Sequence, residues 1–209
     1  MDLLVKAKEQ LERNNFEVYI SDSSESAYHT FIEEILPTLN VQSVSYGDSK
    51  TMHETGVIDY IKTCTSYQFI DTFNPEDSWR EQILQRKRAL TADLFLTGSN
   101  AITETGCLVN LDMIGNRIAA LTFGPRYVVL FVGKNKIVKD LEAARKRVKE
   151  VAAIKNAQSH KNLNIPCQKT GKCMDCSSPH RICNSWTITE KSYPKNRIKI
   201  VLINEDLGY

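Results

Sequence analysis

Apolar positions in the first half of the chain switch between helical and strand spacing. Leu3, Leu4, Ala7 and Leu11 recur at helical intervals, which predicts an amphipathic helix over 3–14. FEVYI (16–20) is β-branched and aromatic and predicts a strand. SDSSES (21–26) supplies capping side chains for a helix reaching about Leu36, with Pro37 near its end. VQSVSY (41–46) alternates apolar and polar residues and stops at Gly47, a second strand. GDSKT (47–51) is a strand-to-helix turn before a helix carrying Val57, Ile58 and Ile61. YQFI (67–70) predicts a third strand. NPEDSWREQ (74–82) opens a helix running to Ala92, with Pro75 in its first turn. LFLT (94–97) predicts a fourth strand, ending at Gly98. Strands and helices alternating over short connections imply an α/β fold, a mainly parallel sheet flanked by helices.

The texture changes after Gly98. GCLVNLD, RIAALTF and YVVLFVG predict three successive strands and therefore an antiparallel part. KDLEAARKRVKEVAAI (139–154) predicts a helix with Leu141, Ala144, Val148 and Val151 on one face. A cysteine-rich segment without periodicity follows, and SWTITE and RIKIVLI predict two closing strands. The composition, 42% hydrophobic and 25% charged, excludes long disorder, collagen and coiled coil. No apolar run approaches the roughly 20 residues that span a bilayer. The opening MDLLVKAKEQLERNN turns polar too early for a signal peptide, so a cytoplasmic protein is expected.

The net charge of +2 conceals an asymmetry. Residues 1–133 carry 11 basic and 18 acidic side chains, a balance of −7, whereas residues 134–199 carry 16 and 5, a balance of +11. A basic third beside a cysteine segment raises a nucleic-acid module as one reading. Aromatics are not interleaved with the basic residues, and Asp140, Glu142 and Glu150 share the same helix. A solvated or protein-docking face is the better reading, and nucleic acid is not the expected partner.

Three constellations could carry chemistry. Gly47, Ser49 and Thr51 lie in a strand-to-helix turn whose backbone N–H groups and hydroxyls suit a phosphate or carboxylate; the competing reading is a plain helix cap. Gly98, Ser99 and Asn100 follow the fourth strand, at the sheet edge where open α/β sheets bind ligands. Thr105, Gly106 and, further on, Asn116 extend that candidate surface. Glu104, between two threonines, can serve as acid, base, nucleophile or hydrogen-bond acceptor, or be an ordinary turn carboxylate. Cys167, Cys173, Cys176 and Cys183 fall within 17 residues, and the Cys-x2-Cys step suits Zn²⁺ or an iron–sulfur cluster. A redox-labile disulfide or free thiols are the alternatives.

At 90–133, LTADLFLTGSNAITETGCLVNLDMIGNRIAALTFGPRYVVLFVG resembles the LUD domain, found in lactate-utilisation proteins of the LutC type. VSYGDSKTMHETGVIDYIK resembles the family's Gly-rich segment, with Asp48 where the family usually has a second Gly. PCQKTGKCMDCSSPHRICN and the closing INEDLGY look like one branch of that family, and LutC itself lacks the cysteine segment. The resemblance covers nearly the whole chain and implies one LUD-like domain over 1–209, with a cysteine-rich loop at 164–184 in its C-terminal part. It also implies the NagB/RpiA/CoA transferase-like fold. In CoA transferases a catalytic Glu precedes a Gly in a short loop, and TETG (103–106) is similar in type, with Glu104 in that place.

Three functions follow as expectations. The first is an accessory component of lactate or related organic-acid utilisation, working with iron–sulfur oxidoreductase subunits. The second is a stand-alone enzyme acting on a small phosphorylated or carboxylate substrate. The third is a zinc-stabilised nucleic-acid-binding or regulatory protein. A small anionic ligand and a homodimer are expected with the first two.

Overall fold

A computed structural model describes residues 2–160 and 162–209. Helix α1 (Asp2–Arg13) leads into strand β1 (Glu17–Ser21), and α2 (Ser24–His29) follows, capped by Ser23. The chain continues through a π-helical turn over Thr30–Ile35 to Pro37. Strand β2 (Ser43–Tyr46) feeds two short helices, α3 (Lys50–Thr55) and α4 (Val57–Thr63). The single helix expected there is broken at Gly56, whose φ of 75° is left-handed. Strand β3 (Gln68–Ile70), helix α5 (Trp79–Ala89) and strand β4 (Leu94–Thr97) complete this half.

Helix α5 begins later than the Pro75 signal predicts. Asn74 holds residues 74–77 in a turn, its side chain accepting from the Glu76 N–H, and Ser78 is the cap. Ser78 and Glu81 form a reciprocal capping box, with the Ser78 N–H 2.8 Å from Glu81 Oε2.

After β4 come β5 (Ala101–Thr103), β6 (Leu108–Asp112), α6 (Asn116–Thr122), β7 (Tyr127–Gly133) and β8 (Ile137–Val138). RIAALTF is therefore a helix and not a strand. Asp112 accounts for this: its Oδ2 accepts from the Arg117 and Ile118 N–H groups, both at 3.0 Å, satisfying the first donors of α6. β5 and β8 had no strand signal of their own. Helix α7 (Leu141–Arg147) passes through a π turn at Val148–Ala152 into α8 (Ala153–Ser159). The extra residue moves the buried face: Ala144, Val148 and Ala152 are buried, while Val151 is turned out. A short helix α9 (Pro166–Thr170) opens the cysteine segment, and β9 (Ser185–Thr189) and β10 (Ile198–Ile203) close the chain.

Six strands form a wholly parallel sheet in the order β1-β10-β7-β4-β2-β3. YVVLFVG, expected in the antiparallel part, lies in this sheet instead. The antiparallel part is a second sheet, β8-β5-β6-β9. Alternate residues of the central strands serve opposite faces. Phe95, Leu130, Ile200 and Leu202 pack with α1 and α6, whereas Leu96, Val129, Phe131 and Val201 pack with α2, α3 and α4. Burial on both faces explains why β7 and β10 read as continuous apolar runs. Among the described residues, no helix is long and apolar enough to cross a membrane.

Candidate ligand-binding cleft

The connection leaving β2 runs to β3 on one side, whereas the connection leaving its neighbour β4 runs to β7 on the other. Such a reversal leaves an open crevice beyond the C-terminal strand ends, where α/β sheets bind ligands. A cleft of about 770 Å³ occupies this place. Its lining includes Ser49, Gly98, Ser99, Asn100 and Asn116, so candidates from two separate sequence segments meet there. The two loops approach closely: a Cβ on Gly98 would stand 2.5 Å from Ser49 Oγ, and one on Gly47 would stand 3.0 Å from Arg117 Cγ.

Arg117, at the start of α6, organises the cleft floor. Its guanidinium donates to Asp112 Oδ1 (2.6 Å), Asn110 Oδ1 (2.6 Å), Asn100 Oδ1 (2.7 Å) and the Gly98 carbonyl (3.1 Å). Both terminal nitrogens are thus committed to the protein. Asn100 and Asn110 hold the loop reciprocally, with Asn110 Oδ1 accepting from the Asn100 N–H and from Ser99 Oγ.

Lys136 contrasts with Arg117. It lies in the short turn after β7, is 5% exposed, and donates to Thr51 Oγ1 at 2.8 Å. Burial, with the Arg147 and Arg117 charges adding, lowers its pKa from 10.5 to about 7, against an opposing pull from Glu54. Thr51, expected to touch ligand directly, instead links this amine to the C-terminal segment by donating to the Leu207 carbonyl. Arg147 of α7 donates to the carbonyls of Asn100 (2.7 Å), Asn135 (2.9 Å) and Tyr209 (3.0 Å), tying the tail to the cleft rim. Gly208 packs on Thr51 and Lys136, while its N–H donates to Glu54.

Across the cleft, Arg86 of α5 stacks between two rings, 5.0 Å from the Phe73 centroid and 5.2 Å from that of Trp79. His53 pairs with Asp48 at 2.8 Å at the mouth. The far wall comes from Ala152, Asn156, Ser159 and Ile182. A crevice with a buried amine, amide side chains and an aromatic wall can hold a molecule that is anionic in part and apolar in part. The amine, titrating near neutrality, can also carry a proton at a stated atom, Lys136 Nζ.

Sequence reasoning missed Arg117, Lys136, Arg86 and Trp79. The RIAALTF run hid Arg117, and the GKNK turn looked like surface charge.

Glu104, Thr105 and Gly106 stand apart from this cleft. They form the turn between β5 and β6 at the opposite end of the hairpin from Asn100 and Asn110. There Asn14 of α1 donates to the carbonyls of Thr105 and Gly106, both at 3.0 Å. A Cβ on Gly106 would stand 2.8 Å from both Asn14 and Gln10, so that glycine permits the packing of the turn on α1.

Cys167 and Cys176 pack with Ala157, Ile165 and Ile182, whereas Cys183 packs beneath α7. All four cysteines of the segment are free thiols. Burial pushes the Cys167 thiol up, and the charges of Cys176, Cys183 and Cys173 add to the effect, so the four share one neighbourhood. Even so, among the described residues no three His, Cys, Asp or Glu side chains are arranged to hold one ion. Arg181 orders the segment instead, donating to the carbonyls of Cys176 (2.6 Å) and Cys183 (3.0 Å).

The family model for the LUD domain matches residues 4–203. The chain belongs to the LUD domain family. The matched span of this LUD protein takes in both cleft loops, Lys136 and the four-cysteine segment. Among solved structures, the chain is similar to the crystal structure of a DUF162 family protein from Deinococcus radiodurans. That likeness covers 97% of each chain at 13% identity, with a TM-score of 0.54, and concerns the fold. No curated protein matches the chain.

Proposed function

We propose that this LUD protein serves lactate or related organic-acid utilisation, alongside iron–sulfur oxidoreductase partners, by holding a carboxylate- or phosphate-bearing molecule in the cleft. The observation that carries the ligand reading is Lys136: an amine buried at the sheet's switch point, with Thr51 Oγ1 as its hydrogen-bond partner. An uncompensated buried amine destabilises its charged form, and an arriving anion reverses that. Arg117 is committed elsewhere and serves to shape the floor. The link to organic acids rests on the family resemblance and not on the cleft's geometry.

A second reading, a stand-alone enzyme, is supported by the same amine, whose pKa of about 7 suits proton transfer. Glu104, placed on the α1 side, has no part in that version.

Calorimetric titration of the full chain with lactate, inorganic phosphate and pyrophosphate tests the ligand reading. Binding of at least one anion is expected, with a loss of tenfold or more in Lys136→Met. Anion affinities that are the same in wild type and variant would remove Lys136 from the site. For the organic-acid role, a deletion strain lacking any redundant copy should grow poorly on lactate; normal growth would overturn it.

A further inference from the structure

The cleft is larger and more varied than a three-carbon acid needs. Its volume of about 770 Å³ falls within the ~300–1,000 Å³ range of clefts that enclose much larger ligands. Lys136 and the polar loop residues 48–50 and 98–100 line the cleft together with Phe73, Trp79 and Arg86.

Trp79 is 59% exposed yet lines the cleft, so much of its indole surface is available for contact. Behind it Arg86 is clamped between the Trp79 and Phe73 rings. Arg86 Nε is sealed and without a hydrogen-bond partner, and Nη2 is held by Gln82 Oε1 at 3.2 Å. Among the described residues, Nη1 makes no protein hydrogen bond. The stack therefore presents a flat aromatic surface next to a fixed, partly uncommitted guanidinium. An aromatic face takes a planar ring well, because every nucleobase offers a π-face to stack on it. Arg in such a stack adds cation–π attraction and donors aimed along a ring edge.

We propose that the occupant of this cleft is a nucleotide, its base laid on the Trp79–Arg86 wall and its phosphates directed to Lys136. This rests on the anion-binding reading above and names the class of anion. A nucleotide unites the properties that the aromatic stack and the buried amine request separately: a planar ring with edge acceptors and a compact multiple charge. A small hydroxy acid supplies only the second, and an apolar aromatic compound only the first. Asn116 and Asn156, also in the lining, carry amides that can pair with sugar hydroxyls and base edges.

The chain has two tryptophans, so Trp186→Phe leaves Trp79 as the sole indole reporter. In that full-length background, ADP, pyrophosphate, adenosine and lactate are titrated by fluorescence and calorimetry. ADP should quench Trp79 and bind at least tenfold more tightly than pyrophosphate or lactate. Trp79→Ala, measured by calorimetry, should reduce ADP affinity about tenfold or more and leave pyrophosphate unchanged, with Trp79→Phe restoring most of the loss. Lys136→Met should weaken ADP and pyrophosphate together. ADP no tighter than pyrophosphate, or ADP affinity indifferent to Trp79→Ala, would overturn the nucleotide assignment while leaving a Lys136-dependent anion site standing. Lactate binding more tightly than ADP would also overturn it. No binding of any probe would sink both readings.

Discussion

At the scale of single residues, Lys136 is under opposed demands. Its position within the fold excludes water, yet a protonated amine needs water or an anion. The free protein resolves this by lowering the pKa to about 7. Between pH 7 and about 10.5 the unfolded chain holds a proton that the folded one does not. Unfolding therefore takes up a proton, and the Lys136 penalty on stability shrinks as pH rises through that window. Below pH 7 both states are protonated and the penalty is complete. Lys136→Met should accordingly raise stability by ~1–3 kcal/mol at pH 6, with a smaller gain at pH 9. Thermal or urea unfolding of wild type and variant across pH checks this; a gain that grows with pH contradicts it. Gly98 makes a separate prediction. A methyl there meets Ser49 Oγ at 2.5 Å and the Phe131 carbonyl at 3.3 Å. Gly98→Ala should cost ~1–3 kcal/mol and weaken anion binding, read by denaturant unfolding and calorimetry.

At the scale of elements, the cleft depends on helices whose ends are secured by particular side chains. Asp112 accepts from two N–H groups of α6 and from the Arg117 guanidinium, so one carboxylate sets both the helix and the floor. Removing it leaves a mostly buried guanidinium without its charge partner. Asp112→Ala should destabilise by ~3–5 kcal/mol, and a loss under 1 kcal/mol in urea unfolding would contradict this role. The same element shows why part of the fold was not legible in the chain. Ile118, Ala120 and Leu121 make an apolar run too short to distinguish helix from strand. The deciding cap lies four residues before the helix and acts through its side chain. By contrast, LFLT was legible because β4 is buried on both faces and shows an uninterrupted apolar signature. The loops at Gly47 and Gly98 were legible as ends of strands facing one edge. Lys136 was not, because it is packed against Thr51 and Gly208, which lie far away along the chain. The π turn at 148–152 likewise shifts the buried face of its helix without any signal in composition.

At the scale of the whole molecule, the basic third acquires a structural meaning. Arg147, Lys149, Arg181, Arg197 and Lys199 are all engaged within the protein. Arg197 donates to the Leu121 and Ala120 carbonyls, and Lys199 pairs with Glu17 across β10 and β1. Arg147, Arg197 and Lys199 thus join the C-terminal third to the acidic body, while Lys149 and Arg181 are held within that third, and a nucleic-acid footprint needs such charge free. Labelled duplex DNA should show no saturable anisotropy change at low salt; tight binding with a steep salt dependence would contradict this view. The sheet order supports the same closure, since β10 is inserted between β1 and β7 and the following residues 204–209 run to the cleft. Arg147→Met should release that tail, seen as faster amide exchange at residues 205–209 with the sheet core still protected.

On the function proposed above, an anion binds at the switch-point cleft and is met by the Lys136 amine. Proton uptake measured by calorimetry tests this most directly, titrating ADP at pH 8 in buffers of different ionisation enthalpy. Net uptake of most of one proton per ligand is expected in wild type, with a fall in that uptake by the same amount in Lys136→Met. Binding with no difference in proton uptake between the two proteins would contradict it.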